Sequence, residues 1–94
     1  MAAQGTATVD FGSASGGTMV ATVTVTGQSG FSTANSVEAW VSGMDSTVDH
    51  STFDHSIVPM RPRPTNPVNG VGFDIICVSD INLTGTFVIH WVWA

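Results

Sequence analysis

The sequence has very little charge of either sign, and almost none of it is positive. There is no lysine among the 94 residues, and two arginines, Arg61 and Arg63, stand against seven acidic residues, so the net charge is −5. Proteins that bind nucleic acid neutralise phosphates with several cations, so this class is excluded. With only 10% charged residues, much of the surface is expected to be neutral or covered by neighbouring molecules.

Paired cysteines and long apolar runs are also missing. Cys77 is the only cysteine, and its apolar neighbours indicate a small buried side chain rather than a reactive thiol. No run of about 18 apolar residues predicts a membrane span, and no basic start with an apolar core predicts a signal peptide. The length predicts one domain, 1–94, whose small core makes oligomerisation the natural source of further burial.

Residues that favour helices are scarce, since Leu83 and Glu38 are the only leucine and the only glutamate. Val, Thr, Ile, Phe and Trp instead recur with period two, which is typical of strands. We therefore predict no helix, loops over 43–56 and 79–85, and six strands over 6–11, 19–26, 36–42, 57–60, 73–78 and 86–94. Prolines restrict the fourth strand to a sheet edge, and 61–67 is expected to be an extended, polyproline-like connector.

Six strands separated by turns predict an all-β fold, a small antiparallel β-sandwich or jelly-roll-like module. The last strand places one apolar set on its first face, Phe87, Ile89, Trp91 and Trp93. Its second face carries Val88, His90 and Val92. Residues 73–78 are apolar on both faces apart from Asp74, which favours a central strand covered on both sides. These second apolar faces predict a homo-oligomer, either a dimer or a trimer.

The segment from Ser36 to His55 contains the residues that could form a site. Asp49–His50 and Asp54–His55 repeat a carboxylate–imidazole pair, and both groups are suitable zinc ligands. Their spacing matches no metal motif, so a hydrogen-bonded loop anchor or a subunit contact is the favoured interpretation, and a metal site is the alternative. No cofactor is implied.

A second pair of candidates lies on the strand that precedes this loop. Trp40 shares a strand face with Glu38 and is the best candidate for a surface aromatic, either as a subunit-contact anchor or as a platform for a sugar. No nucleophile elbow or comparable arrangement is present, and a glycosidase pair of Glu38 with an aspartate would be fortuitous. We therefore predict no catalytic residue and no enzyme activity.

Three segments together resemble a known group of proteins: TATVDFG at 6–12, VTVTGQSGFSTANSVEAWV at 23–41, and GVGFDIICVSD at 70–80 with the closing FVIHWVWA. The combination is similar to small virion structural proteins of tailed bacteriophages. The resemblance implies a non-enzymatic virion component, made in the bacterial cytoplasm, that serves in capsid decoration or in a tail fibre. Its implied partners are copies of itself and other virion proteins. The alternative is a receptor- or carbohydrate-binding module at a fibre tip that recognises a host surface glycan.

Overall fold

The computed structural model describes residues 2–94 and has six strands in two antiparallel sheets. The first sheet has the order β1 (Ala3–Asp10), β6 (Thr86–Trp93), β3 (Val37–Trp40). The second has the order β2 (Thr18–Val25), β5 (Gly72–Leu83), β4 (Met60–Val68). One short helix, α1 (Thr52–Ile57), precedes β4. The predicted fold, a small all-β module of about six antiparallel strands, is confirmed.

The core lies between the two sheets and is built from side chains that alternate inward along each strand. In β6, the predicted inner face is buried in full: Phe87, Ile89, Trp91 and Trp93. The facing side chains of β5 are Phe73, Ile75 and Cys77. Aromatic rings meet edge to face across this core, with centroids 5.6 Å apart for Phe73 and Trp91 and 5.5 Å apart for Phe31 and Trp93. This is the arrangement that the quadrupoles of aromatic rings favour.

Cys77 is a packing residue, as predicted. Its side chain is fully buried in β5, and burial raises the pKa of the thiol to about 11. Because the thiolate is the reactive form, this thiol is inert at neutral pH.

The proline-rich segment is a strand, and the prediction of a connector over 61–67 is wrong. β4 spans Met60–Val68, whereas the predicted strand over 57–60 began too early, at the last residue of α1. The Asp80 N–H donates to the Pro59 carbonyl. Because backbone groups alternate in direction along a strand, those of Arg61 and Arg63 point toward β5, and the nitrogens of Pro62 and Pro64 point away from it. Prolines therefore fit this strand because it lies at a sheet edge, as predicted.

The segment 79–85 is also more regular than predicted. It is expected to be a loop, but β5 continues to Leu83, because Ser79 and Leu83 still turn inward and Leu83 pairs with Thr18 of β2. Exposed residues 80–82 lie between these two buried positions, so the period-two pattern is interrupted there.

The prediction of no helix is wrong for Thr52–Ile57, which covers the end of the predicted loop 43–56 and the first residue of the predicted strand 57–60. A capping box starts α1: the Ser51 hydroxyl accepts from the Asp54 N–H, and the Asp54 carboxylate accepts from the Ser51 N–H. Six residues are too few to produce a visible helical period, so the capping pair is the only sequence signal. Among residues 2–94, no helix has the length and hydropathy needed to cross a membrane.

The outer faces of the two central strands are only partly covered. Ile76 and Val78 of β5 remain half-buried, so the predicted cover on both sides of 73–78 is not provided within the chain. On β6, His90 is covered in part by the stacked ring of Trp40. Each sheet thus presents a mixed outer face rather than a bare apolar one.

The packing of Trp91 depends on a glycine in β1. Gly5 lies opposite Trp91 in the register of β1 and β6, and a Cβ atom at Gly5 would lie 2.6 Å from Cζ2 of the indole. The indole is 6% exposed, and its Nε1–H has no hydrogen-bond partner among the described residues. Gly5 therefore makes room for the ring inside β1, which begins at Ala3 rather than at the predicted Thr6.

Gly5→Ala is expected to lower the free energy of unfolding by about 1–3 kcal/mol, because the added methyl overlaps the indole of Trp91. Trp91→Phe shortens the ring, so the double variant should lose less than the sum of the two single losses. Urea unfolding of the four proteins measures this coupling. Thr6→Ala, on the exposed face next to Gly5, is the control and should change stability by less than about 0.5 kcal/mol. Strictly additive losses would contradict the contact.

Candidate functional site

Beyond the end of β3, side chains of the following segment, rather than a further strand, form hydrogen bonds with the backbone at the edge of β6. β3 pairs with β6 only as far as Trp40 and His90. Ser36 and Ala94 exchange backbone hydrogen bonds, so alternate residues of β6, counted back from Ala94, direct their N–H and C=O groups toward β3. Beyond His90 these groups belong to residues 84–88, and no strand among residues 2–94 lies on that side of them.

Thr47 and Asp49 take the place of that missing strand at Thr86. The Asp49 carboxylate accepts from the Thr86 N–H at 2.9 Å and from the Thr86 hydroxyl at 2.8 Å. The Thr47 hydroxyl donates to the Thr86 carbonyl at 2.9 Å. The hydrogen bonds from Thr86, first from its hydroxyl and then from its N–H, hold the pKa of Asp49 below its usual value.

The two histidines of the repeated Asp–His pairs complete the same edge. His50 Nε2 lies 2.6 Å from the Thr84 carbonyl, which can only accept, so Nε2 carries a proton. His55 is buried and makes two opposite bonds: Nδ1 donates to the Ser51 carbonyl at 2.9 Å, and Nε2 accepts from the Val88 N–H at 3.1 Å. That pattern fixes His55 as a neutral imidazole protonated on Nδ1.

Asp54 contacts both the start of α1 and the imidazole of His50. Its carboxylate caps α1 at Ser51 and lies 3.2 Å from His50 Nδ1. The His50 ring also stacks on Phe87, with centroids 4.0 Å apart. The imidazole is therefore fixed by hydrogen bonds at its nitrogens and by the phenyl ring against its face. The structure thus joins Asp49, His50, Asp54 and His55 through contacts that fix a loop to β6.

Glu38 and Trp40 lie elsewhere, on the outer face of the first sheet. Both side chains are exposed, and Trp40 retains 42% of its surface. The Trp40 indole stacks on the His90 imidazole, with centroids 5.7 Å apart and planes 14° apart. His90 Nε2 in turn lies 2.5 Å from the Asp45 carboxylate, which fixes the imidazole beneath the indole.

Two surface depressions adjoin Trp40. The first, here called the edge groove, runs between the open edges of β3 and β4 and has a volume of about 560 Å³. Its walls include a set of apolar side chains: Val37, Ala39, Val41, Val58, Met60 and Pro62. The second, here called the outer-face cleft, has a volume of about 270 Å³ and is lined by Gln4, Gly5, Thr6, Trp40, His90 and Trp91.

Both arginines of the chain line the edge groove. Arg61 holds the Asp80 carboxylate through two hydrogen bonds of 3.1 and 3.0 Å, which lowers the pKa of Asp80. Arg63 has no acidic partner within ion-pair distance among residues 2–94. The groove therefore combines its apolar side chains with the Glu38 carboxylate and with Arg63, which has no ion pair among residues 2–94.

Some residues of this region are not among the predicted site residues: Thr47, Thr86, Asp45 and His90. The first two are bonded at the edge of β6, and the last two support Trp40. Only the pairing of β3 with β6 brings them together. Within residues 2–94, no group of three or more His, Cys, Asp or Glu side chains converges as metal ligands would.

Comparison of the chain with protein-family models, with curated proteins and with solved structures finds no match. Function must therefore be inferred from the contacts of the described residues and from the surface that they leave open. The carboxylates and imidazoles of the loop are occupied by internal bonds. Open depressions lie at Trp40 and along the edge groove, and a further one of about 450 Å³ lies beside Asp49, His50 and Thr84.

Asp49→Asn is expected to lower the midpoint of urea unfolding at pH 7, because it removes a carboxylate that accepts two hydrogen bonds from Thr86. The lowered pKa of Asp49 means that this stabilisation is complete above the unfolded pKa of about 3.9 and is lost as pH falls through the folded value. The difference between wild type and variant should therefore shrink below about pH 4.

Glu38→Gln makes the same change of charge at an exposed carboxylate that has no hydrogen bond within residues 2–94, and serves as the control. Unfolding curves of the three proteins between pH 7 and pH 3 provide the measurement. Equal midpoints for the Asp49 and Glu38 variants at pH 7 would contradict the anchoring role.

Proposed function

We propose that the chain is a non-enzymatic structural protein of a tailed-bacteriophage virion, and that it works as a homo-oligomer in capsid decoration or in a tail fibre. The observation that carries the proposal is the use of the loop's acids and imidazoles. Asp49, His50 and His55 bond backbone groups of Thr86, Thr84 and Val88, so both imidazoles and one oxygen of the Asp49 carboxylate are already engaged. The surface that remains open is suited to contact with other protein chains.

Exposed apolar side chains on the anchored segment support this view. Phe53 and Ile57, four residues apart on α1, are 68% and 60% exposed, and Met44 and Val48 extend outward from the preceding loop. Residues four apart on a helix share one face, so α1 presents an apolar face to its surroundings. A face of this kind fits contact with other virion proteins, while the edge groove fits contact between copies.

The resemblance of 6–12, 23–41 and 70–80 to virion structural proteins adds support, as does the low charge of the chain. A protein that is fixed in a particle needs few charges for solubility, because neighbours cover much of its surface. The proposed location is the virion, after synthesis in the bacterial cytoplasm.

The purified protein is expected to be a stable dimer or trimer at micromolar concentration, as measured by light scattering. Because apolar burial would hold the copies together, raising the salt to about 1 M should leave the mass unchanged. A monomer at every concentration would contradict self-assembly. Dissociation in high salt would assign the contact to charge pairs instead.

A second candidate function, binding of a host surface glycan, is favoured by one observation. The indole of Trp40 is part of the outer-face cleft, which also carries the amide of Gln4 and the hydroxyl of Thr6. An indole face and a few polar groups are the chemistry with which proteins bind sugars. His90 and Asp45 hold the indole in place from beneath.

If glycans bind in the outer-face cleft, Trp40→Ala should weaken binding on an array of bacterial surface glycans. The loss of one stacked ring is expected to weaken binding by about tenfold or more. Met44→Ala, which removes an exposed apolar side chain outside the cleft, is the control and should bind as wild type does. No bound glycan, or equal binding by the Trp40 variant, would leave the structural role as the function.

A further inference from the structure

We propose that the open edge of β3 is the surface through which two copies of this chain pair, with β3 antiparallel to β3 of the second copy about a twofold axis at Ala39. The two three-stranded sheets would then form one continuous six-stranded sheet. This inference rests on the proposed self-assembly and specifies the contact that achieves it.

The backbone of β3 provides the first argument. Ser36 exchanges hydrogen bonds of 2.9 and 3.0 Å with Ala94, so Glu38 and Trp40 also direct their backbone groups toward β6. The intervening residues, Val37, Ala39 and Val41, therefore point their N–H and C=O groups away from the sheet. No strand among residues 2–94 lies on that side. These groups can be satisfied by an added strand.

The neighbouring edge of the second sheet, at β4, is protected against pairing with a further strand. At Pro62 and Pro64 of β4 the nitrogens point away from β5 and carry no hydrogen to donate. Prolines at such positions prevent a further strand from pairing. β3 contains no proline and no charged residue on its inner face. One layer of the sandwich is thus closed to pairing and the other is open on the same side.

The side chains of β3 indicate that the added strand is a second copy. With Ala39 on the axis, Val37 pairs with Val41 of the second copy on the inner face. On the outer face, Glu38 lies opposite Trp40 of the second copy, so no like charges face each other. Moving the axis to Glu38 would place two carboxylates directly opposite, which is unfavourable. The register at Ala39 is therefore favoured over the register at Glu38.

The other open edge of the first sheet is less suitable. The Phe11 N–H bonds the Gly85 carbonyl, so alternation directs the backbone groups of Gln4, Thr6 and Thr8 away from β6 at the β1 edge. Their side chains are polar and exposed. Pairing at β3 instead covers half-buried Val37 and Val41 and the exposed indole of Trp40. Pairing at β3 therefore removes more apolar surface from water.

The test replaces one outward N–H at each edge with proline. Ala39→Pro removes a donor that β6 does not use, so the fold should persist while the dissociation constant of the dimer rises at least about tenfold. Thr6→Pro is the matched control, since it makes the same change at the β1 edge and should leave the dimer intact. Sedimentation equilibrium measures the association, and circular dichroism confirms the fold of each variant.

A second variant tests the register without a proline substitution, so its result does not depend on whether the proline variant folds. Residues that exchange both backbone bonds across a twofold axis have Cα atoms about 5.5 Å apart, which is within reach of a disulfide. Ala39→Cys should therefore form a covalent dimer under mild oxidation. Wild type, whose one thiol is buried at Cys77, should not, and neither should Thr6→Cys.

The outcomes separate this inference from the function on which it rests. A wild-type dimer that is lost in Ala39→Pro, kept in Thr6→Pro and cross-linked in Ala39→Cys supports the pairing. A wild-type trimer, a dimer insensitive to Ala39→Pro, or no cross-link overturns the pairing at β3 but leaves self-assembly in place. A wild-type monomer at all concentrations overturns both.

Discussion

The structure depends on one mismatch, between a central strand of eight residues and a neighbour of four. β3 covers β6 from Trp93 to His90, and the backbone groups from Val88 back to Thr84 would be left without partners. Thr86 and Val88 are half-buried, and a backbone group shielded from water loses free energy when it has no hydrogen-bond partner, so partners at these groups stabilise the fold. Side chains of the next segment supply them: Thr47, Asp49, His50 and His55. That requirement fixes the path of the chain between β3 and β4 and explains why a short helix, which directs His55 inward, interrupts an all-β fold.

The same requirement decides which residues remain available for function. Carboxylates and imidazoles in one loop are what a metal site or a catalytic site would contain, but here His50, His55 and one oxygen of Asp49 bond to Thr84, Val88 and Thr86. The anchored loop in turn presents Asp45 to His90, and His90 supports the ring of Trp40. A structural role for the polar groups thus creates an ordered, half-exposed tryptophan on the outer face. The loop groups bonded to residues 84–88 fix the shape of the module, and the half-exposed tryptophan remains available to partners.

Much of the fold could be predicted from the sequence, because inward residues alternate strictly over 21–25 of β2, 73–79 of β5 and all of β6, and a buried face tolerates no slip of one residue. The misses have local physical causes. Gly5 weakens the strand signal of β1 because it serves the packing of Trp91. Prolines mask β4, although they suit an edge, and α1 is specified by a capping pair rather than by a period. The site was harder to predict. The sequence predicts Asp49, His50, Asp54 and His55 as candidates, but the partners of Asp49, His50 and His55 lie about 35 positions away, at 84–88, and are backbone groups that have no sequence signal.

The two adjacent sheet edges, at β4 and at β3, differ in whether a further strand can pair with them. At β4, residues 62 and 64 are prolines, and their nitrogens cannot donate on the side away from β5. At β3, the alternate backbone groups on the open side belong to residues with small or branched apolar side chains, which add to a sheet readily. An unprotected edge in a soluble chain risks uncontrolled aggregation, so a fold that protects one edge and leaves its neighbour open restricts pairing to one layer. Pairing in one layer about a twofold axis is closed rather than open-ended, since each copy uses the same four-residue strand once. A short strand limits how many bonds such pairing can form, and the apolar walls of the edge groove would then supply the remaining stabilisation.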